Sequence, residues 1–245
     1  MKLWFIRHGD PDYAHDTLTE KGFREAAALT AYLKDKKIDA FYCSPLGRAK
    51  DTIRAALEQR GTEAEICPFL REFNEAMNDP ETGEKRLAWD LLPAQWAVDD
   101  QLFLADGWER SPLYAPTPNV KEGVERTGAL LDEILARHGY EREGRLYRAV
   151  RPNKDTIAIV CHFGITCVML SHLLDLSPIL LMHELFFPPT SLTILETEEK
   201  EEGIVRFRLR LMGGTPHLTL AGEPVSASGM FKEVYTDPVE RRDIF

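Results

Sequence analysis

Two histidines and two arginines, each set where an apolar run of the chain breaks off, have the types and spacing for chemistry on a phosphoryl group. Arg7 and His8 follow the run Leu3-Trp4-Phe5-Ile6 and are closed by Gly9. His162 ends a second run, Thr156-Ile157-Ala158-Ile159-Val160-Cys161. Short apolar runs closed in this way read as buried strands, and open α/β sheets bind ligands at the carboxyl ends of their strands. Arginine offers planar paired donors to phosphate oxygens, and an imidazole among cations favours its neutral form and can attack phosphorus. One histidine would attack and the other stabilise charge. A departing alkoxide also needs a proton, for which Glu72 is the leading donor and Glu75 the fallback.

The elements that must position these groups follow from the pattern. Asp10-Pro11-Asp12-Tyr13 reads as a turn, after which Thr19 caps a helix over about residues 20–35 with an apolar face of Phe23, Ala26, Ala27 and Leu33. Ile38 to Cys43 is a short strand. Ser44 and Pro45 then suit an N-cap and a first helical position, which puts Arg48 in the first turn of the next helix and at the same sheet edge. Ala64 to Phe69 reads as a further strand, leading into Leu70-Arg71-Glu72.

Residues 73–119 lose the strand and helix rhythm and carry Trp89, Trp96, Phe103, Trp108 and Tyr114 among Pro93, Pro112, Pro116 and Pro118. The segment is expected to be an inserted cap beside the site, although packing onto the main core explains most of these aromatics equally well. An amphipathic helix follows over 120–138, then a solvated loop from Tyr140 to Lys154. A helix over Gly164 to Leu174 begins where the His162 strand stops and offers its N-terminal N–H groups to an anion. Thr190 to Leu195 and Ile204 to Leu211 read as a hairpin around the acidic run 196–203. The tail from Gly213 to Phe245 shows too little periodicity to place, and no internal repeat is visible.

Composition narrows the classes. The chain has 245 residues, 44% of them hydrophobic, enough for one large domain with a sizeable core. A net charge of −10 argues against general affinity for nucleic acid or anionic membrane, so any anion site must be a local cluster. The first residues pass straight into a strand without a charged and apolar leader, and no apolar run approaches the ~18 residues of a membrane span, so a cytoplasmic location is expected. Cys43, Cys67, Cys161 and Cys167 lack metal or disulfide spacing and read as reduced core thiols. His15, His138, His172, His183 and His217 lack the context of the other two histidines and read as surface or packing residues.

Taken together, Arg7-His8-Gly9, Leu18-Thr19-Glu20-Lys21-Gly22, Ser44-Pro45-Leu46-Gly47-Arg48-Ala49-Lys50-Asp51-Thr52, Leu70-Arg71-Glu72 and the late His162 resemble the histidine phosphatase (phosphoglycerate mutase-like) superfamily. The motifs occur in that family's order and span residue 2 to about 175. The resemblance implies a three-layer α/β/α sandwich around a mostly parallel sheet, a single domain over 1–245 with 73–119 as its cap, and no metal or other cofactor. It implies a phosphohistidine on His8, phosphate binding by Arg7, Arg48 and His162, and Glu72 as acid and then base. The backbone N–H of Phe163 joins the phosphate-binding set, in place of the Gly or other residue that often follows the second histidine. Many members carry Thr and Asn where this chain has Pro11 and Ala14, so one familiar phosphate-contacting amide is missing.

The leading expectation is a phosphatase acting on a phosphomonoester of a small metabolite. Alternatives are a phosphohistidine-protein phosphatase, against which the cap-sized insertion speaks, and phosphoglycerate mutase-type phosphotransfer, against which the unfamiliar 73–119 segment speaks. A non-catalytic phospho-ligand binding module would keep the arginines without turnover. A metal-dependent hydrolase built on His8, Asp10, Asp12 and His15 uses residues of metal-ligand type. The expected partner is a small phosphorylated substrate, with neither nucleic acid nor membrane, and the sequence leaves room for a homodimer.

Overall fold

The computed structural model describes residues 1–230 and 234. In chain order its elements begin with β1 (Lys2–Arg7), the ribbon β2 (Pro11–Asp12) and β3 (Thr17–Leu18), α1 (Glu20–Leu33), β4 (Ala40–Cys43), α2 (Gly47–Arg60) and β5 (Glu65–Ile66). The 73–119 stretch holds a second ribbon, β6 (Ala76–Asn78) and β7 (Lys85–Leu87), then α3 (Pro93–Trp96) and two single turns of 3₁₀ helix. There follow α4 (Pro118–Arg137), the hairpin β8 (Tyr140–Glu143) and β9 (Leu146–Ala149), β10 (Thr156–Cys161), α5 (Phe163–Leu174) and α6 (Pro178–Glu184). The hairpin β11 (Leu192–Glu201) and β12 (Ile204–Gly214) and the short α7 (Pro216–Ala221) complete the described chain.

Eight of these strands form one mixed sheet in the order β5-β4-β10-β1-β11-β12-β9-β8. Parallel pairing is confined to the half β5-β4-β10-β1, where the apolar runs of the sequence lie, while β11, β12, β9 and β8 extend the sheet through antiparallel hairpins. Side chains alternate across β1 and β10 because successive strand residues face opposite sides. Leu3, Phe5, Ile157, Ile159 and Cys161 enter a core shared with α4, α5 and α6. Trp4, Ile6, Ala158 and Val160 meet Leu29 and Leu33 of α1 and Ala49 and Ile53 of α2 on the other side. Helices on both faces give the three-layer arrangement, and both faces of β10 are buried throughout.

Trp96, Leu102, Trp108 and Tyr114 belong to the same buried cluster as Phe5 and Ile159, so much of the 73–119 segment packs onto the main core. Phe103 is 43% exposed and leans on Trp96 with ring centroids 5.9 Å apart. All four cysteines are free and buried, and desolvation pushes Cys43 and Cys161 up to about 12, so their thiols stay protonated packing groups.

Several local expectations are corrected. The α1 helix is capped by Thr19, whose hydroxyl accepts from the Gly22 N–H, but its buried face is rotated: Phe23 is 48% exposed, while Gly22, Glu25, Ala26, Leu29 and Leu33 are buried. A carboxylate occupies the buried stripe where an apolar residue is the ordinary choice. Ser44 does not cap α2, which begins at Gly47 after Leu46; its hydroxyl accepts from the Leu46 N–H at 3.3 Å and meets His162 Nε2 at 2.7 Å. The strand expected over 64–69 shrinks to Glu65–Ile66 because Pro68 starts a 3₁₀ turn. The expected loop 140–154 contains the β8–β9 hairpin, whose Tyr140, Tyr147 and Ala149 are buried while the alternate residues face solvent. The acidic run 196–203 is mostly strand, with the turn at Glu202-Gly203. Of the tail, α7 and residues 222–230 are ordered against the body, and most of 231–245 lies outside the described residues.

Glu25 connects this packing to pH. It is fully buried, its Oε2 accepts from the Asp10 N–H at 2.8 Å, and its Oε1 has no partner. Desolvation, followed by the charge of Asp10, pushes its carboxyl up to about 7 from the ordinary 4.5. Between those values the folded chain holds a proton that the unfolded chain has released, so stability falls as pH rises through that window, on the order of 1 kcal/mol per pH unit. Glu25→Gln, neutral at every pH, should lose this dependence. In urea melts from pH 5 to 8 the stability difference between the variant and wild type should shift in the variant's favour with rising pH. A constant difference would mean that Glu25 is ionised in the fold.

Candidate active site

The three parallel neighbours β4, β10 and β1 end side by side, and each hands the chain to a group of opposite character from its apolar body. Arg7 is the last residue of β1 and His8 follows it; His162 follows β10 as the N-cap of α5; Ser44 follows β4, and Arg48 is the second residue of α2. The His8 and His162 rings lie 5.0 Å apart, centroid to centroid, tilted by 55°. His8, Ser44 and His162 are buried, and Arg7 and Arg48 nearly so.

The hydrogen bonds of His8 define its tautomer. Nδ1 lies 2.7 Å from the Gly9 carbonyl, and a carbonyl only accepts, so Nδ1 carries the hydrogen and Nε2 presents a lone pair. Burial first, and Arg7 and Arg48 after it, lower its pKa to about 3. The imidazole is therefore neutral near pH 7. His162 is also held far below the ordinary range, by burial and then by His8, Arg48 and Arg7. Its Nε2 meets Ser44 Oγ at 2.7 Å, and its Nδ1 is buried without a partner.

Each arginine is oriented by fixed acceptors. Arg7 Nη1 donates to the Phe187 carbonyl, and its Nε has no partner. Arg48 Nη1 pairs with Asp16 Oδ1 at 2.8 Å, and its Nε is likewise buried and unpartnered. Asp16, with φ +49°, also accepts from the Gly47 N–H at 2.7 Å. A Cβ on residue 47 would lie 2.0 Å from the Asp16 carbonyl, so only glycine permits this approach. Thr52, one turn into α2, donates to the Arg48 carbonyl and accepts from the Gly9 N–H at 2.9 Å, linking the two halves of the pocket.

Among the described residues, three polar atoms around the paired imidazoles have no partner: Arg7 Nε, Arg48 Nε and His162 Nδ1. Leaving buried donors unmade costs about 1–3 kcal/mol each, more when charged. An anion accepting from Arg7 Nε and Arg48 Nε removes that cost for both guanidinium groups.

Glu72 follows the 3₁₀ turn Pro68–Leu70 and abuts the start of α5. Its Oε1 accepts from the N–H groups of Phe73 (2.9 Å) and Ile165 (3.2 Å), so a proton on this carboxyl resides on Oε2. Burial raises its pKa, against these backbone bonds and Arg7, which lower it. A Cβ on Gly164 would lie 3.0 Å from Oε1 and 3.2 Å from Trp89 Nε1, which keeps the acid, the helix start and the indole in one tight cluster. Glu75 is tied instead to α4, through Arg126 at 3.0 Å and Asn119 at 3.1 Å. Phe163 is the first residue of α5, and its ring packs edge-on against Trp89 at 6.0 Å and tilted against Phe187 at 5.7 Å.

The other residues of metal-ligand type are held apart from the pair. Asp12 and His15 bond to each other at 2.8 Å on the exposed β2–β3 loop, and Asp10 accepts from Thr19 and Ser226. Among the described residues no three His, Cys, Asp or Glu side chains are grouped to hold a metal. The remaining histidines pack elsewhere: His138 on Tyr42, His172 on Asp132, His183 on Trp96 and His217 on Thr190. Sequence reasoning missed Ser44, Asp16, Thr52 and Asp10 as supporting residues. Gly47, inside a helical pattern where glycine is unfavourable, was the one local sign of a close approach.

The fold and these side chains define an α/β protein with a basic, two-histidine cluster at the carboxyl edge of its parallel strands. The family model described as the histidine phosphatase superfamily (branch 1) matches residues 3–210, and the chain belongs to that superfamily. It is 38% identical over 82 residues to the adenosylcobalamin/alpha-ribazole phosphatase of Salmonella typhi, covering 30% of this chain and 41% of that protein. Against the protein of the same name in Escherichia coli K12 it is 25% identical over 185 residues, covering 72% of this chain and 80% of the other. The chain thus spans about two-fifths of the length of the first of these relatives. The phosphoserine phosphatase of Entamoeba histolytica, solved with 3-phosphoglyceric acid, superposes with a TM-score of 0.58 at 20% identity, over 89% of this chain and 98% of that one. At that identity it is the fold that is shared.

An anion that satisfies Arg48 Nε should be lost with it. Calorimetric titration with inorganic phosphate should give an affinity about 10–100-fold weaker for Arg48→Ala, the worth of one or two charged hydrogen bonds. Unchanged affinity would remove Arg48 from the pocket.

Proposed function

We propose that this chain is a phosphatase that hydrolyses a phosphomonoester of a small metabolite through a phosphohistidine on His8, without a metal. The observation that carries the reading is the Nδ1 bond of His8 to Gly9, which leaves a neutral, buried imidazole with its Nε2 lone pair beside two guanidinium groups. The family membership supports the reading, as do the names of relatives with which the chain shares sequence.

In this mechanism Arg7, Arg48 and His162 hold the phosphoryl oxygens, with the Phe163 N–H added at the α5 start, and neutralise charge that builds as the phosphorus is attacked. His8 Nε2 forms the P–N bond while the bond from phosphorus to the alcohol oxygen breaks. Protonated Glu72 gives its Oε2 proton to that oxygen, and the resulting carboxylate takes a proton from the water that next attacks phosphorus, releasing phosphate and regenerating both residues. The leaving alcohol then lies beside Trp89 and Phe163, half-buried rings that adjoin Glu72. They give that side of the pocket an apolar wall. A cytoplasmic location fits this role; among the described residues no helix is long and apolar enough to cross a membrane.

Rapid quenching during turnover should leave an acid-labile, alkali-stable phosphoryl label that His8→Ala abolishes. Glu72→Gln should slow an alkyl phosphate by about 10²–10⁴-fold and p-nitrophenyl phosphate far less, since p-nitrophenolate departs without a proton. Equal losses would demote Glu72 to a binding role, and turnover that needs an added divalent cation and leaves no label would reject the phosphohistidine route.

The same geometry bears on selectivity. Trp89→Ala should change the ranking of phosphomonoesters with differently sized alcohols while leaving the label formed from p-nitrophenyl phosphate largely intact. An unchanged ranking would take the wall out of substrate choice.

A further inference from the structure

The chain returns to the pocket after α7, and this return is not used by the chemistry above. The helix ends at Gly222 in the left-handed conformation, and the next eight residues run back along α1 toward Arg7. Glu223 is gripped by Arg24 through Nε (2.9 Å) and Nη2 (3.1 Å) and by Lys21 (3.3 Å), and Lys21 also reaches the Pro224 carbonyl. Val225 and Ser226 are buried. The Ser226 hydroxyl donates to Asp10 Oδ1 at 2.5 Å and accepts from the Ser228 N–H at 3.1 Å, which closes a turn. That turn brings the Ser228 carbonyl to 3.5 Å from Arg7 Nη1 and lays Gly229 against the guanidinium, where a Cβ would sit 3.3 Å from Nη2.

We propose that residues 223–230 are a strap that holds the Arg7 guanidinium in its anion-binding orientation, latched by the hydrogen bond from Ser226 to Asp10, so that Ser226 is a positioning residue of the pocket. This rests on the reading of the pocket as a phosphate site. The chemistry of the strap suits the task. Arg7 Nη1 meets both the Phe187 and the Ser228 carbonyl, each uncharged, and the Phe186 ring lies 6.0 Å from the guanidinium centre. Carbonyls direct a guanidinium without cancelling its charge, whereas a carboxylate at the same place would compete with phosphate. Gly229, at φ +91°, adopts a conformation that a side chain resists, and a Cβ there would crowd Arg7 Nη2 at 3.3 Å.

The latch acts on the other half of the pocket as well. Asp10 follows Gly9, whose carbonyl fixes the His8 tautomer, and its second oxygen accepts from Thr19 Oγ1 at 2.6 Å. One serine hydroxyl therefore joins the strap, the His8 loop and the cap of α1. A residue far from His8 in sequence sets the arginine next to it.

The test compares Ser226→Ala, Ser226→Thr as the rescue that keeps the hydroxyl, and wild type. For Ser226→Ala the orthovanadate inhibition constant and the KM for p-nitrophenyl phosphate should each rise about 5–30-fold, with kcat within about threefold of wild type and Thr restoring both. A merely structural serine would lower the melting temperature and leave the KM and kcat ratio unmoved, which overturns the proposal. The second readout needs no activity: ¹⁵N spectra should show hindered rotation of the Arg7 guanidinium in wild type and averaged signals in Ser226→Ala. Wild type that neither binds vanadate nor turns over defeats the phosphate reading. The strap is then judged by the spectra alone, and identical Arg7 signals in the two proteins overturn it.

Discussion

The rest of the site depends on one electrostatic constraint: two guanidinium groups stand within reach of two imidazoles that are themselves buried. Desolvation penalises a third and fourth positive charge there, and Arg7 and Arg48 add repulsion to that penalty, so both histidines stay neutral. Everything else in the pocket follows from keeping the cations cationic and the imidazoles neutral. Asp16 orients Arg48 from the more exposed end and leaves its Nε inside the pocket unpaired. Arg7 receives carbonyls instead of acids. Ser44 occupies one nitrogen of His162, and the other is left without a protein partner. The result is a set of donors arranged before any ligand arrives, which is what electrostatic stabilisation of a developing charge requires.

The frame of this pocket was legible in the sequence because its strands are written as continuous apolar runs. Runs such as Leu3 to Ile6 and Ile157 to Cys161 are apolar at every position, a pattern suited to strands covered on both faces, and a polar residue at the end of such a run has to emerge at the sheet edge. Arg7, His8 and His162 could therefore be assigned to one edge before any coordinates, and Arg48 followed from the strand and helix around it. The antiparallel half was harder. The β8–β9 hairpin buries only alternate residues and fills the others with Arg and Glu, so its local signal is that of a solvated loop.

What the sequence concealed has a common physical origin: each concealed residue acts through a partner distant along the chain. Ser44 is of N-cap type and accepts from the nearby Leu46 N–H, yet its hydroxyl also finds His162. Local rules weigh only the nearby N–H groups that Ser could satisfy, and a buried imidazole is a competing acceptor or donor they do not see. Glu25 falls on the buried stripe of α1 because Asp10 offers it a backbone N–H there, and the closeness of α1 to that loop comes from Gly22, where a Cβ would lie 2.3 Å from the Asp10 carbonyl. Phe23 was displaced to the surface by the same rotation. Apolar periodicity placed the helix correctly and its rotation incorrectly, since one tertiary hydrogen bond outweighed the propensity of one aromatic to be buried.

Glu72 is tied to the same helix start as His162. In the proposed mechanism Glu72 must keep its proton until the alcohol leaves and then accept one, so a carboxyl far from neutrality in either direction would serve one step and fail the other. Its surroundings oppose each other. Burial raises the pKa, while two backbone N–H groups on Oε1 and the positive charge of Arg7 lower it. The Ile165 N–H comes from the first turn of α5, whose N-cap is His162. The helix that fixes the second histidine therefore also restrains the carboxyl, and Gly164 keeps the two close enough for that to happen. Under the proposed mechanism, tuning of the acid and placement of the histidine are the same structural event, and a change that shifted the start of α5 by one residue would disturb both at once.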